Sequence, residues 1–379
     1  MIVHAITPGD HFSPRTGSAI PTVVHGLATA SALEHDPAGK HVVLLDRTTY
    51  PDRYPSAEII EYDGAPYPSR AERVWDALMA QLRLPRQAAA RAFRPLRDAL
   101  AELPAATVVA HNAPVLATLL RDQPHTVILY AHNDILRTAT RAELAGLSDV
   151  HAIVCVSRDL ADRTSSRLPS ALARRVHVVD NGVDTQLFFP AATAPSNPVL
   201  RVMFIGRIVP EKGPDVLLRA AAALGRDDLE FVLVGSAGFD ATAALSTYER
   251  SLRALADQVR ARVTFLPFTG RAELSGLLRS ADVFVAPSRW PEPSGLTLGE
   301  AMATGLPIVT TNTGGIPEVV GDAALLTAPD APLEVANAIA GLADDPALRL
   351  RLGERARQRA LARDWGRSWR QFAAILDTR

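Results

Sequence analysis

The sequence predicts an α/β protein made of two doubly wound domains, each with a parallel sheet. At roughly 100–200 residues per domain, a chain of 379 residues has room for two. Short apolar runs alternate with helical patterns almost throughout, as in sheets whose parallel strands are joined by helices. The runs are continuously apolar rather than alternating, which is typical of strands covered on both faces.

In the first half, six apolar runs predict strands, and helical patterns lie between most of them. The predicted strands are MIVHAI, HVVLL, ATVVA, HTVILYA, HAIVCVS and RVHVV. Helices are predicted near 17–30, 70–100, 113–121, 140–147 and 157–168.

The second half repeats this pattern and then becomes wholly helical. Its predicted strands are VLRVMFI, EFVLVG, RVTFLP, ADVFVAP, PIVTT and AALLTA, with helices near 214–224, 241–258, 271–279 and 295–304. After residue 331 we expect only helices, in APLEVANAIAGLADD, PALRLRLGERARQRALARD and WGRSWRQFAAILDTR.

The stretch PAATAPSNP has no periodicity and is rich in Pro, Ala and Ser, so we interpret it as part of an interdomain linker. The predicted boundaries are 1–185 for the first domain, 186–199 for the linker and 200–363 for the second domain, followed by a last helix at about 364–379. Asn181–Gly182 is predicted to form a hinge-like turn at the junction.

The bulk composition excludes several classes of function. A net charge of −1 with 21% charged residues gives no polyanion-binding surface, so nucleic acid is not an expected partner. Cys155 is the only cysteine, which excludes an intrachain disulfide and fits a reducing compartment. No signal peptide and no run near the ~20 apolar residues of a membrane span is visible, so we expect a cytoplasmic protein.

Two glutamates in PSRWPEPSGLTLGEAMATG suggest a ligand rich in hydroxyl groups. Glu292 lies between two prolines on a loop that follows a strand, and Glu300 lies on the helix that begins near Ser294–Gly295. Carboxylates accept hydrogen bonds from paired hydroxyls, and the first amides of the helix favour an anion. The alternative is a solvated loop residue and an ordinary helix-surface residue.

A second candidate site is FIGRIVPEKG, which ends one strand and leads into a helix. Arg207 and Lys212, one of only two lysines, both lie on this loop, where a guanidinium fork and a point charge would suit a diphosphate. The alternative is that Lys212 is a surface lysine near a helix start. In TNTGGIPEVVG, Gly314–Gly315 would let a ligand approach the backbone closely. No cluster of metal-ligating residues is visible, so no metal is expected.

Together these motifs resemble the retaining glycosyltransferases of family 4, which have the GT-B fold. The resemblance is carried by GRIVPEKG, EPSGLTLGEAMATGLPIV, TGGIPEVV and NGVDTQLFFP, whose order and spacing match over roughly 178–330. In the first half it is looser and depends on TPGDHFSPRTGSAIPTVVHGLA, YAHNDIL and IVCVS.

The resemblance implies two Rossmann-like domains that face a central cleft, with the C-terminal helix crossing back to the first domain. The apolar residues Trp369, Phe372, Ala373 and Leu376 recur at helical spacing on that helix, and the face they form would then pack on the first domain. The first domain would bind the acceptor, and the second the nucleotide sugar.

The resemblance also implies roles for individual residues. Arg207 and Lys212 would hold the diphosphate, Glu300 the ribose, and Glu292 the donor sugar. The implied catalytic set adds His132 of AHND at the reaction centre. The remaining implied donor-site residues are Gly17, Gly206, Ser294, Gly295, Leu296, Thr297 and Gly314.

The implied reaction moves a hexose or amino-hexose from a nucleotide diphosphate sugar, with UDP the expected nucleotide, to an acceptor hydroxyl. The acceptor classes left open are a small natural product, an aminocyclitol, a lipid and a polysaccharide; a lipid would add peripheral membrane contact. Retention is expected through a front-face mechanism in which the leaving phosphate takes the acceptor's proton, with no cofactor. The source is expected to be bacterial.

Two alternatives remain from the sequence. One is a non-catalytic GT-B protein in surface or coat assembly, against which Arg207, Lys212, Glu292 and Glu300 all argue. The other is a sugar-nucleotide epimerase, which shares the fold but whose carboxylate-rich site is not evident. A nicotinamide dehydrogenase is disfavoured because VGSAGF matches GxGxxG poorly.

Overall fold

The computed structural model describes residues 1–35, 39–66, 69–82, 84, 87–192, 197 and 199–377. The chain divides into two compact units. The first comprises Met1–Asp180 together with Ser368–Arg379, and the second comprises Asn181–Arg367.

The first unit contains a seven-stranded parallel sheet in the order β3-β2-β1-β4-β5-β6-β7. Its strands are β1 (Ile2–Ala5), β2 (His41–Asp46), β3 (Glu58–Tyr62), β4 (Thr107–His111), β5 (Thr126–Ala131), β6 (Ala152–Cys155) and β7 (Val176–Val178). Its helices are α1 (Ala19–Leu33), α2 (Arg70–Gln81), α3 (Gln87–Ala101), α4 (Pro114–Leu119), α5 (Arg141–Gly146), α6 (Arg158–Ser165) and α7 (Ser170–Ala173).

The central strands are buried because nearly every residue on both faces is apolar. All residues of β1, β2 and β6 are buried, and Val42, Val108 and Ile128 continue the core across neighbouring strands. This is the pattern predicted for a parallel sheet covered on both sides.

The second unit contains a six-stranded parallel sheet in the order β10-β9-β8-β11-β12-β13. Its strands are β8 (Leu200–Ile205), β9 (Leu229–Val234), β10 (Arg262–Leu266), β11 (Val283–Ala286), β12 (Ile308–Thr311) and β13 (Ala324–Thr327). Its helices are α8 (Pro214–Leu224), α9 (Thr247–Ala256), α10 (Arg271–Arg279), α11 (Leu296–Ala303), α12 (Ile316–Val320), α13 (Pro332–Asp344) and α14 (Pro346–Leu361).

Two apolar clusters, one on each side of the β8–β13 sheet, form the core of the second unit. Met203 and Phe284 belong to one cluster, while Phe204 and Val285 belong to the other, so successive strand residues serve opposite faces. The doubly wound α/β fold predicted for this half is therefore confirmed.

The junction between the units falls at Asp180, close to the predicted turn at Asn181–Gly182 and before the predicted boundary at 185. Phe188, within the predicted linker, is buried in the core of the second unit. Residues 193–196 and 198 of the predicted linker lie outside the described residues.

The last helix, α15 (Trp365–Leu376), supplies side chains to the core of the first unit. Trp369 is fully buried and meets the His41 ring edge-on, with 5.2 Å between ring centroids. The ring centroid of Phe372 lies 5.9 Å from that of Tyr130. The predicted apolar face thus packs on the first unit. Its partly exposed end residue, Leu376, contributes less than the predicted pattern implied.

Three elements differ from the sequence prediction. The edge strand β3 was not predicted, because the two glutamates in its sequence EIIEY interrupt the apolar residues and leave no continuous apolar run. The single helical pattern predicted at 70–100 is two helices, α2 and α3. The four-residue helix α7 is too short to give a periodic pattern. In the described part of the chain, no helix is long and apolar enough to cross a membrane.

We expect Trp369→Ala to destabilise the first unit by about 3–5 kcal/mol, because a large buried ring leaves a cavity. The measurement is urea unfolding followed by circular dichroism. Leu350→Ala on α14, where the side chain is 64% exposed, is the control and should change stability by less than about 0.5 kcal/mol. Equal effects of the two variants would contradict the packing described for α15.

Candidate active site

The strand order of the second unit brings the two main candidate segments together. β8 and β11 are neighbours, although three helices and two strands separate them along the chain. The strand order reverses between them, and ligands of open α/β sheets bind outside the carboxyl ends of strands at such a point. Lys212 follows β8 and Glu292 follows β11.

Lys212 and Glu292 form a direct ion pair. Lys212 Nζ lies 2.7 Å from Oε1 and 2.6 Å from Oε2 of Glu292. Trp290 Nε1 donates to the same carboxylate at 3.2 Å, and the Ser288 hydroxyl lies at 3.4 Å from it. Glu292 is therefore not a solvated loop residue, and Lys212 is not an unconstrained surface lysine.

Backbone contacts hold the two loops in register. The Arg289 amide donates to the Glu211 carbonyl at 2.8 Å, and the Ser288 hydroxyl donates to that carbonyl at 3.1 Å. Gly213 has φ of +69° and lies so close to the Pro287 carbonyl that a Cβ would collide with it. Lys212 is consequently held one residue from a point where only glycine fits.

Gly314 approaches Glu292 rather than leaving an open space. With φ of +59°, it would place a Cβ 2.5 Å from the Glu292 carbonyl oxygen. The next amide, Gly315, donates to that same oxygen at 2.8 Å. The sequence predicted that a ligand would approach this backbone closely. In the structure the backbone of the Glu292 loop occupies that position, and the two glycines hold the loop in place.

Glu300 is 2% exposed and forms an ion pair with Arg271, the first residue of α10. Glu300 is therefore not an ordinary helix-surface residue. A buried carboxylate needs a compensating partner, and Arg271 supplies a guanidinium that is itself mostly buried. The pair joins α11 to the first residue of α10, which follows β10 along the chain.

Helix α11 begins where the sequence predicted. Gly295, at φ of +72°, is the N-cap and Ser294 before it is buried. The Leu298 amide donates to the Gly295 carbonyl at 3.1 Å. The amides of Leu296 and Thr297 belong to the first helical turn, whose N–H groups lack intrahelical acceptors and favour an oxygen-rich ligand.

Arg207 lies exposed on the loop after β8, and the structure shows no ion pair for it within the described ranges. Gly206, immediately before it, donates its amide to the Val234 carbonyl at 3.1 Å. This bond anchors the loop to the end of β9. Arg207 is thus a cation on a fixed backbone.

The first-unit candidates lie at the carboxyl edge of the other sheet. His132 follows β5, is buried, and donates its backbone amide to Asn112 Oδ1 at 2.8 Å. Burial lowers the pKa of His132 to about 3. Gly17 is exposed on the loop before α1, next to Ser18, whose hydroxyl donates to Asp10 at 3.0 Å. Across the described residues no cluster is arranged to hold a metal ion.

The sequence did not point to Arg271 or Trp290. Both follow strands whose ends were predicted, but neither type of residue is diagnostic at such a position. The one indication of Arg271 would have been that Glu300 needs a cation that its neighbours on the helix do not supply. That inference requires knowing that Glu300 is buried.

We expect Gly314→Ala to destabilise the second unit by about 1–3 kcal/mol and to lower activity, because the methyl group would displace the Glu292 backbone. Thermal unfolding and a transfer assay measure the two effects. Gly341→Ala in α13 is the matched control: nothing lies within 4 Å of its Cβ position, so it should stabilise by about 0.5–1 kcal/mol. An activity loss shared by both variants would show that Gly314 has no special role.

The family described as Glycosyl transferases group 1 matches residues 189–359, which lie within the second unit. Spore coat protein SA of Bacillus subtilis (strain 168) is 31% identical over 272 residues, covering 66% of this chain and 72% of that protein. Alpha-maltose-1-phosphate synthase of Mycobacterium tuberculosis (strain ATCC 25618 / H37Rv) is 32% identical over 280 residues, covering 65% and 70%. D-inositol 3-phosphate glycosyltransferase of Corynebacterium glutamicum (strain R) is 35% identical over 220 residues, covering 54% and 51%.

Solved structures agree on the fold. Anabaena HepE in complex with UDP and glucose gives a TM-score of 0.73 at 19% identity, covering 100% of this chain and 99% of that one. WaaG, a glycosyltransferase of lipopolysaccharide biosynthesis, gives 0.71 at 16% identity, covering 100% of both chains. These likenesses show the GT-B fold. With the family match and relatives above 30% identity, they lead to one conclusion: the chain belongs to the glycosyl transferases group 1 family and is a glycosyltransferase.

Proposed function

We propose that this protein is a retaining glycosyltransferase of family 4 that transfers a hexose or amino-hexose from a UDP-sugar to an acceptor hydroxyl. The observation that carries the proposal is the Lys212–Glu292 pair at the β8/β11 switch point, with Arg207 exposed on the same loop as Lys212. A cation pair and a carboxylate at this position suit a diphosphate joined to a polyol.

UDP is the proposed nucleotide. The support is that HepE, a structure of the same fold, was solved with UDP and glucose, and in a further structure with UDP-glucose. At 19% identity this supports a donor class and does not identify the sugar.

In the proposed complex the diphosphate takes the place of one partner in the ion pair. Lys212 donates to phosphate oxygens, and Arg207 adds a second cation as negative charge builds on the leaving group. Glu292 is then released to accept hydrogen bonds from hydroxyls of the transferred sugar. Trp290 and Ser288 would keep the carboxylate oriented after Lys212 turns to the phosphate.

Glu300 is proposed to hold the ribose hydroxyls, with Arg271 as its positioning residue. One carboxylate oxygen, Oε1, pairs with Arg271, which leaves Oε2 to accept from a hydroxyl. Backbone groups of six further residues are proposed to complete the donor site: Ser294, Gly295, Leu296, Thr297, Gly206 and Gly314. Gly314 acts there through the Glu292 loop that it supports.

Retention is proposed to proceed on the front face of the sugar. A double displacement needs a protein nucleophile on the opposite face, and no residue of the second-unit site stands out for that task. The leaving phosphate would instead take the acceptor's proton, with Arg207 and Lys212 stabilising its charge. The diphosphate needs no further cofactor in this proposal, because these two side chains balance its charge.

The first unit is proposed to bind the acceptor, with His132 and the Gly17 loop contributing. The names of the relatives point to different sugar and polyol phosphates: one is a D-inositol 3-phosphate glycosyltransferase and another an alpha-maltose-1-phosphate synthase. A polyol or sugar phosphate therefore joins the natural products, aminocyclitols, lipids and polysaccharides as an acceptor class. A lipid acceptor would bring peripheral membrane contact. The single, buried Cys155 supports a cytoplasmic location.

A second candidate is a role in coat assembly, favoured by the likeness to spore coat protein SA. The two functions are compatible if the coat component is a glycan. A hydrolysis and transfer assay with a panel of UDP-sugars distinguishes an enzyme from a purely structural protein.

Lys212→Ala should lower transition-state stabilisation by about 2–4 kcal/mol, or roughly 30- to 1000-fold in kcat, because one preorganised charge donor is lost. Lys40→Ala is the matched control, since the chain's other lysine pairs with Glu58 on the exposed surface of the first unit. Steady-state kinetics with a UDP-sugar measure both. Turnover of Lys212→Ala within a few-fold of that of Lys40→Ala would refute the diphosphate role.

Replacing each of the two glutamates should change the affinity for bare UDP in opposite directions. Glu300→Gln should weaken UDP and UDP-sugar binding alike and act mainly on KM, because the ribose is common to both ligands. Sequence reasoning alone predicts unchanged UDP affinity for Glu292→Gln. The ion pair alters that expectation: losing the carboxylate frees Lys212 and should tighten UDP binding roughly two- to tenfold, the net value of one ordinary hydrogen bond.

Calorimetric titration with UDP and steady-state kinetics separate these effects. Glu292→Gln should also lower kcat, because the sugar changes most at the transition state. A weakening of UDP binding of equal size in Glu292→Gln and Glu300→Gln would contradict the division of roles.

A further inference from the structure

Four histidines of the first unit form a continuous hydrogen-bonded chain that ends at His132. His41 Nδ1 lies 2.8 Å from His4 Nε2, and His4 Nδ1 lies 2.9 Å from His111 Nε2. His111 Nδ1 lies 2.8 Å from His132 Nε2. The rings come from four neighbouring strands or strand ends, β2, β1, β4 and β5, and run diagonally across the sheet.

Every link joins Nδ1 of one ring to Nε2 of the next. A neutral imidazole has one N–H and one bare nitrogen, so a ring that donates through Nδ1 must accept through Nε2. If all three hydrogen bonds form, the neutral rings must share one tautomer. They are all Nδ1–H, in which case His132 presents N–H at Nδ1, or all Nε2–H, in which case it presents a lone pair.

Burial keeps the rings of His4, His111 and His132 neutral. Burial lowers the pKa of His4 and of His111 well below the usual range, and the neighbouring histidines add to the effect in both. The pKa of His132 falls to about 3 through burial alone. Near neutral pH these three rings are therefore uncharged, and their state is defined by which nitrogen carries the proton.

Packing holds the ring planes in position. Tyr130 stacks on His132 with 4.7 Å between centroids and an interplanar angle of 8°, and it stacks on His111 at 5.3 Å. At the other end, Trp369 of α15 meets His41 edge-on. These contacts restrict ring flips, so the nitrogen that faces each neighbour stays the same.

At the His132 end of the chain, one ring nitrogen can still form a hydrogen bond. His132 Nδ1 is buried and has no hydrogen-bond partner among the described residues. A buried ring nitrogen without a partner is costly, and at the carboxyl end of a strand it lies where ligands of such sheets bind.

We propose that His4, His41 and His111 act as positioning residues, forming a tautomer relay that sets whether His132 Nδ1 donates to or accepts from a substrate hydroxyl. The proposal rests on the proposed function, because it takes the ligand of His132 to be a hydroxyl of the acceptor or the transferred sugar. The relay extends the role of His132 to three residues that never touch the substrate.

The two polarities of the chain contain the same number of protons. In one, every neutral ring carries its proton on Nδ1, and in the other every ring carries it on Nε2, so all three hydrogen bonds point in the opposite direction. The relay therefore sets the polarity of His132 Nδ1 and delivers no net proton to the substrate.

The first test uses the wild-type protein without substrate. Nitrogen-15 NMR spectra of histidine-labelled protein report which nitrogen of each ring carries the proton. The signals are assigned with variants in which one histidine at a time is replaced. The relay requires His4, His41, His111 and His132 to show one common tautomer. A mixed set of tautomers in these four rings would overturn it.

The second test breaks the chain two rings away from His132. His4→Phe keeps an aromatic ring but removes both links, so it should shift the nitrogen signals of His132 and lower kcat about tenfold with an unchanged donor KM. His25→Phe is the matched control, since His25 is in the same unit, stacks on Tyr54 and lies outside the chain. It should leave the His132 signals and kcat unaltered.

The outcomes separate the relay from the proposed function. A common tautomer together with a lowered kcat in His4→Phe supports the relay. Unmoved His132 signals in His4→Phe, or shifted signals with unchanged kcat, overturn it. Absence of any transfer activity in the wild type, with a common tautomer and coupled signals in the spectra, would refute the proposed function and its hydroxyl ligand but leave the coupling of the four rings established.

Discussion

The pairing of β8 with β11 is the constraint on which the candidate donor site depends. Parallel strands send their carboxyl ends to the same edge, and a reversal of strand order leaves a gap between the two outgoing loops. That gap receives Lys212 from one loop and Glu292 from the other, and they meet at 2.6 Å. A change in strand order would separate these charges even if every local structure were preserved.

The Glu292 loop shows how a functional side chain is fixed by backbone contacts. Gly314 and Gly315 pack against and bind its carbonyl, while Lys212, Trp290 and Ser288 engage its carboxylate. The flanking prolines limit the loop's own freedom. The carboxylate is therefore oriented before a ligand arrives, which reduces the ordering cost of binding. Its ion pair also makes the sugar and phosphate roles interdependent, so neither charge acts alone.

Burial has opposite consequences in the two units. In the second unit, buried Glu300 is compensated by Arg271. In the first unit, buried His4 and His111 form hydrogen bonds with other histidine rings and are compensated by them as neutral groups. The same desolvation that makes His132 a weak base makes its tautomer dependent on its neighbours. A catalytic group can thus be tuned by residues on distant strands.

The sequence by itself determined the α/β class, the strands of both sheets except the charged edge strand β3, and the loops that carry Arg207, Lys212, Glu292 and Glu300. It did so because continuous apolar runs and glycine–proline punctuation are local properties. Only the tertiary structure decided the partners. Arg271 reaches Glu300 across 29 positions, Lys212 reaches Glu292 across 80, and His4 joins His111 across 107. Local sequence patterns do not specify such contacts, because they arise only when the order of strands in a sheet brings distant segments of the chain to the same place.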